Sequence, residues 1–222
     1  QRVEDVANEY YEFGSSYSWF TPFSEDFDGD GKADLGLARL ASGSYRWWTK
    51  KSSDLSETWP GNYNAANNFI EWCRQSGKIS MADFDGDELG DLVCYYPATS
   101  NWYIYFSQGE PTHLEQSNMR RLLNGPLPYW KWGFNSLEPA PADFNGDGYA
   151  DFGGFNPSMG VWHINLSRGG TDPRNGLEWG EPGDIAVPAD YDGDGKADIA
   201  IYRNGEWHIK QSKDDQYYRW GS

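Results

Sequence analysis

Positive charge is scarce in this chain: 18 Lys and Arg stand against 34 Asp and Glu over 222 residues, a net charge of −16. Phosphate contacts need clustered Lys and Arg, so no nucleic-acid partner is expected, and no docking on an anionic membrane surface. Long apolar runs are missing too. Nothing approaches the roughly 18 residues that would cross a bilayer as a helix, so no membrane insertion is expected. Cysteine is limited to Cys73 and Cys94, which allow one bridge at most and constrain the compartment only weakly. Three histidines and no GxSxG or HExxH segment leave the common hydrolase and metalloprotease signatures unrepresented. Starting at Gln1 without Met or a leader pattern, the sequence reads as processed or cut from a longer one.

Aromatic and turn-forming residues are plentiful. The 12 Trp, 15 Tyr and 11 Phe supply a core that disordered acidic chains lack. The 26 Gly and 12 Pro suit many short strands, and this length suits one all-β domain over residues 1–222.

One phrase occurs four times: DFDGDGKAD from Asp26, DFDGDELGD from Asp83, DFNGDGYAD from Asp143 and DYDGDGKAD from Asp190. An apolar segment follows each copy, then a turn and an alternating segment such as GVWHINLS or GEWHIKQS, whose period of two marks β-strands. Trp72, Trp132 and Trp179 each stand eleven residues before the next copy, and Trp220 closes the last unit. Tyr45, Trp102 and Trp162 come nineteen residues after the first three loop starts, and Trp207 seventeen after the fourth.

Units of four strands repeated in this way describe propeller blades. The expected fold is a small all-β propeller of four blades, each of four antiparallel strands, over residues 18–74, 78–134, 138–181 and 184–222. The YYEFGS of Tyr10–Ser15 resembles the closing YYRWGS of Tyr217–Ser222, giving a surplus outer strand at 9–15. That strand could latch the ring or provide self-association between chains.

The loops converge hard oxygen ligands. Position by position these are Asp26, Asp28, Asp30 and Asp34; Asp83, Asp85, Asp87 and Asp91; Asp143, Asn145, Asp147 and Asp151; and Asp190, Asp192, Asp194 and Asp198. So many carboxylates repel one another without a cation, and Ca²⁺ accepts six to eight oxygens where Mg²⁺ keeps its waters. Up to four Ca²⁺ are expected, with the carbonyl at position seven as a further ligand. Glu88 replaces the turn glycine in the second loop, which leaves its geometry open and predicts weaker binding there. These are not EF-hands, because position twelve lies in a strand rather than offering a bidentate Glu.

The four loops and their flanks resemble the FG-GAP/VCBS repeats of integrin-α-like propellers, with Gly183–Ile209 the nearest to a bacterial-type repeat. The resemblance implies Ca²⁺ bound between the first two strands of each blade. It says little about activity, since the family includes adhesion proteins, lectins and accessory domains of secreted enzymes.

Aromatics that recur once per blade read as inter-blade core. Trp47 is aligned with Ile104, Ile164 and Ile209, while Trp19, Trp48, Trp59 and Trp130 fall off the pattern. The segments between third and fourth strands are long in the first two units, holding ETWPGNYNAANN (Glu57–Asn68) and NGPLPYWKW (Asn124–Trp132). They should emerge on the acidic-loop edge. Aromatic faces stack on sugars and Asn amides pair with hydroxyls, so Trp59, Tyr63, Tyr129 and Trp130 are the candidate ligand-binding residues. A short helix from about His113 to Leu123 is expected between them.

His163 and His208 sit at equivalent strand positions, matched to Arg46 and Tyr103, and read as structural. His113, Arg120 and Arg121 are the only cluster to nominate for catalysis, and the reading leans against an enzyme. Cys73 and Cys94 form either one bridge or two buried thiols, and an extracellular, calcium-rich setting favours the bridge. The leading expectation is a secreted or cell-surface recognition module for a glycan or an extracellular protein. The alternatives are a polysaccharide lyase or hydrolase on a propeller scaffold and an architectural domain of a larger adhesin.

Overall fold

The computed structural model describes residues 20–54, 70–107 and 130–221. Among them are fifteen strands and no helix, arranged as the four blades of a β-propeller. Blade one contains β1 (Phe20–Glu25), β2 (Asp34–Ala41), β3 (Ser44–Lys50) and β4 (Ile70–Arg74). Blade two contains β5 (Lys78–Ala82), β6 (Asp91–Tyr96), β7 (Asn101–Tyr105) and β8 (Trp130–Lys131). Blade three has β9 (Glu138–Pro139), β10 (Phe152–Asn156) and β11 (Val161–Asn165), with Glu178 bridging to Val161 at the outer position. Blade four contains β12 (Ile185–Ala186), β13 (Ile199–Arg203), β14 (Glu206–Lys210) and β15 (Tyr217–Trp220). Every pairing is antiparallel and sequential, so each blade is a simple meander. The helix expected at 113–123, the surplus strand at 9–15 and His113, Arg120 and Arg121 lie outside the described residues.

Register corrects the alignment of aromatics. The β2–β3 hairpin is longer than its counterparts, so Ala38 faces Trp47 where Tyr95 faces Trp102, Phe155 faces Trp162 and Tyr202 faces Trp207. Trp47, not Tyr45, is therefore the third-strand aromatic of blade one, and Trp48, not Arg46, corresponds to His163 and His208. On the outer strand Trp102 pairs with Trp130, and Trp207 with Trp220. Trp130 is thus on the repeat pattern, sharing its position with Trp220, whereas Trp132 and Trp179 lie two residues further on. The carbonyls of those two accept the indole N–H of Trp102 and Trp162, each at 3.0 Å.

Three apolar clusters hold consecutive blades together. Trp47, Met81 and Leu92 join the first pair, Trp102, Leu137 and Phe152 the second, and Trp162, Ile199 and Ile201 the third. Strands β6 and β10 are buried nearly end to end because a blade covers each face, while β2 alternates and leaves Leu35 exposed. No such cluster joins blade four to blade one among the described residues. Trp47, Trp102 and Trp162 are 1%, 0% and 0% exposed, whereas the matching Trp207 is only half-buried.

Each junction is filled differently at the edge away from the acidic loops. Between blades one and two a disulfide joins Cys73 to Cys94. It leaves no room for a side chain at Gly77, whose added Cβ would stand 2.5 Å from Cys73 Sγ. Cys73 occupies a left-handed position (φ 66°) filled by Gly133 and Gly180 in the next two repeats. Between blades two and three, Leu137 plugs the space above Gly154 and Phe134 packs edge-on against His163. Between blades three and four the corresponding residues are Asp184 and Glu181, both engaged by Arg203.

Two stability changes follow. Reducing the bridge, which spans 21 residues, should lower the unfolding free energy by about 3 kcal/mol, read by urea titration with and without dithiothreitol; an unchanged midpoint would refute this. Trp162→Ala should cost roughly 3–5 kcal/mol and Trp207→Ala roughly half as much, because only the first empties a closed interface. Equal costs in the same titration would contradict the difference in burial.

Candidate metal-binding loops

The four acidic loops share one hydrogen-bond scheme. The first carboxylate folds the turn over itself. Its Oδ1 accepts the position-four N–H (Gly29, Gly86, Gly146 and Gly193) at 2.6–2.7 Å, and its Oδ2 accepts the position-six N–H at 2.7–2.9 Å. Position six needs a left-handed backbone, which glycine adopts without penalty. Gly31, Gly148 and Gly195 have φ of 80°, 83° and 86°, and Glu88 adopts 67° with the same hydrogen bond. The second loop therefore keeps the shared geometry despite its missing glycine.

The ninth position ties the loop to the blade. Asp34, Asp91, Asp151 and Asp198 are 1%, 0%, 0% and 0% exposed. One oxygen of each accepts the position-two N–H at 2.8–3.1 Å. The other accepts the N–H of Ser52, Ser107, Ser167 or Ser212 at 2.6–2.8 Å. Each serine stands just past the third strand, so the chain leaves that strand beside the acidic loop. Adjacent loops are also linked: the position-eight N–H of Gly90, Ala150 and Ala197 donates to the carbonyl of Asp26, Asp83 and Asp143.

Sequence reading missed these serines, although each follows its third-strand tryptophan by five residues, a spacing visible only once Trp47 is placed correctly. It also missed Arg174. Asp172 orients that guanidinium, which donates to the carbonyls of Phe144 and Ala197 and so clamps the third loop to the fourth.

Carboxylate oxygens from Asp26, Asp28 and Asp34 lie within 4.8 Å of one another, as do those of Asp83, Asp85 and Asp91, and of Asp190, Asp192 and Asp194. These acidic groups could hold a metal ion. Burial, then repulsion from Asp87, pushes Asp85 up to about 6, and burial pushes Asp151 up to about 6. Asp91 is raised well above the usual carboxylate range by burial and then by Asp85. Between the first two loops, Glu25 rises to about 7 through burial and the charges of Asp83 and Asp26.

The third position grades the fit to a cation. Asp85 Oδ1 and Asp192 Oδ2 are buried without a hydrogen-bond partner, as expected of oxygens aimed at an ion. In the first loop Lys51 Nζ stands 3.1 Å from Asp28 Oδ2 and offers an internal counter-charge. In the third, the Asn145 amide donates to Asp147 at 3.3 Å. The second and fourth loops thus fit a hard divalent cation best, and the donor set of carboxylates suits Ca²⁺ chemistry.

Of the candidate ligand-binding aromatics, Trp59, Tyr63 and Tyr129 lie outside the described residues. Trp130 is half-buried and stacks on Phe152 at 5.1 Å between centroids. His163 is half-buried under Phe134, which fits its structural reading.

Residues 83–153, from the second acidic loop into β10, match the FG-GAP-like repeat. No curated protein matched the chain. Among solved structures, a lectin of Agrocybe aegerita described by its specific recognition of non-reducing terminal N-acetylglucosamine is 15% identical, with a TM-score of 0.47. That alignment covers 90% of this chain and 52% of the lectin. The V. cholerae biofilm matrix protein Bap1 is 20% identical at a TM-score of 0.34, covering 91% of this chain and 30% of Bap1. The chain thus spans about half the lectin's length and under a third of Bap1. At such scores neither likeness carries an argument about what this chain binds.

The raised carboxylates set a pH dependence. Unfolded Asp titrates near 3.9, whereas Asp85 and Asp151 titrate at about 6 in the fold. The metal-free fold therefore holds more protons than the unfolded chain between these values, and its stability falls as pH rises from about 4 to 6. Melting temperatures in EDTA should show that fall, and millimolar CaCl₂ should remove it by binding the deprotonated loops. A flat profile in EDTA would contradict the charge assignment.

Proposed function

We propose that this chain is a calcium-stabilised recognition module of extracellular type, binding a glycan or a protein through the acidic-loop edge. The observation that carries the reading is the repetition of one carboxylate cage on that edge, with orphaned buried oxygens at Asp85 and Asp192. A cation there neutralises charge that otherwise opposes folding, so the ions act structurally. The disulfide supports an oxidising compartment. The third strands exit beside the cages, as Lys51 and Ser52 illustrate, so the long insertions of blades one and two begin at this edge. Loops on a rigid scaffold are where binding residues concentrate. The carboxylates are committed to the turns and to the cation, which disfavours the paired-acid chemistry of a glycosidase.

Calcium should raise the melting temperature and EDTA should lower it. On a glycan array and on immobilised extracellular proteins, Trp59→Ala and Tyr63→Ala should reduce binding tenfold or more at unchanged melting temperature. An EDTA-insensitive melting curve would remove the calcium from this reading, and binding untouched by both variants would remove the loops.

A further inference from the structure

The junction of blades three and four holds a groove of about 340 Å³ on the edge remote from the acidic loops. Its walls are Trp179, Glu181, Arg203, His208 and Tyr217, over a floor at Ile201. The remote edge is fixed by topology, since Arg203 ends β13 at the turn while the fourth acidic loop enters that strand at its other end.

The groove exists because this junction departs from its neighbour. At the blade two to three junction Phe134 caps His163 at 4.9 Å and Leu137 fills the space beside it. Here the same positions carry Glu181 and Asp184, and Arg203 draws both aside. Its guanidinium holds Asp184 through two hydrogen bonds of 2.7 Å and meets Glu181 Oε1 at 2.6 Å. His208, the counterpart of His163, has the Tyr217 ring stacked on it at 5.9 Å in place of an edge-on Phe. Its Nδ1 is fixed by the Tyr217 hydroxyl at 2.6 Å. Its Nε2 is buried without a hydrogen-bond partner, the nearest carboxylate being Glu206 Oε2 at 3.7 Å.

We propose that this groove binds an uncharged pyranose sugar. Trp179 and Tyr217 meet edge-to-face, 6.3 Å apart at 71°, and form an aromatic corner for the apolar face of a sugar ring. The His208 ring, held through Nδ1 by the Tyr217 hydroxyl, lines the groove beside that corner. The exposed Glu178 carboxylate at the rim accepts from hydroxyls. The volume falls at the low end for small-ligand sites, enough for one ring. Glu178 and Glu181 outweigh Arg203 in the lining, so a uronate or a phosphorylated sugar is disfavoured. The assignment gives the recognition reading a sugar class, but at a site separate from the acidic-loop edge.

The test titrates the full chain with methyl glucoside, galactoside and mannoside, with glucuronate and an acetyl-lysine amide as controls, following tryptophan fluorescence and saturation-transfer NMR. At least one neutral glycoside should bind, and His208→Ala and Tyr217→Phe should each weaken it tenfold or more. The second variant removes only a hydroxyl from a ring 55% exposed, so it keeps the fold and isolates the hold on His208. Binding of no glycoside, preference for glucuronate or the lysine amide, or affinity unmoved by both variants would overturn the groove assignment. Loss of array binding in Trp59→Ala together with full glycoside binding in solution would instead remove nothing from it and place the array ligand at the loops. Array binding that survives His208→Ala while no glycoside binds leaves recognition standing and the groove refuted.

Discussion

A buried carboxylate at the ninth loop position organises each blade. Placing a charged group in the interior is costly unless every lone pair that loses water finds a donor. Asp34, Asp91, Asp151 and Asp198 meet that condition in the same way, with one oxygen on the loop's own backbone and the other on the serine that ends the third strand. Hydrogen bonds to charged groups contribute about 1.5–3 kcal/mol each. The loop, the strand it enters and the exit of the next strand are thereby fixed by one side chain. The first, third and fifth positions are then held close together, and the repulsion among them is what a divalent cation would relieve.

The two edges of the molecule are consequently governed by different rules. The acidic edge is uniform: the same turn four times, with position-eight amides stitching loop to loop and Arg174 reinforcing the last step. The remote edge has no such constraint, and its three junctions diverge into a disulfide, an apolar plug and a charged groove. Uniformity suits a load shared by every blade, which is charge neutralisation and stability. Divergence is where specificity can be built, because a change at one junction leaves the others intact.

The repeat made much of the architecture legible. The loop phrase occurs in every unit, and the alternating strands after it locate the blade core, so the four-bladed all-β fold and the acidic groups are legible in the sequence alone. Alignment by residue counting failed where a hairpin changed length. The longer β2–β3 hairpin moved the core aromatic of blade one from Tyr45 to Trp47, and with it hid the constant spacing to Ser52. Trp130 illustrates a different limit. Its distance from the next loop looked irregular, but strand pairing places it opposite Trp102 and against Phe152. The groove at Arg203 was invisible for a third reason: only register sets Glu181 and Asp184 where Phe134 and Leu137 sit one blade earlier.

The ends of the blade series follow from the same packing rule. Each internal interface joins the tryptophan face of one blade to the inner strands of the next, and each acidic loop accepts an amide from its successor. Blade four presents a tryptophan face, with Trp207 half-buried and Trp220 73% exposed, and blade one presents the complementary side, with Leu35 and Ala33 exposed. In the other three loops the counterpart of Ala33 is buried and donates across a blade interface. Among the described residues these two surfaces resemble the two sides of the interface that the chain forms three times internally. Aromatic area of that kind gains stability when covered, which is what the three internal interfaces do for Trp47, Trp102 and Trp162.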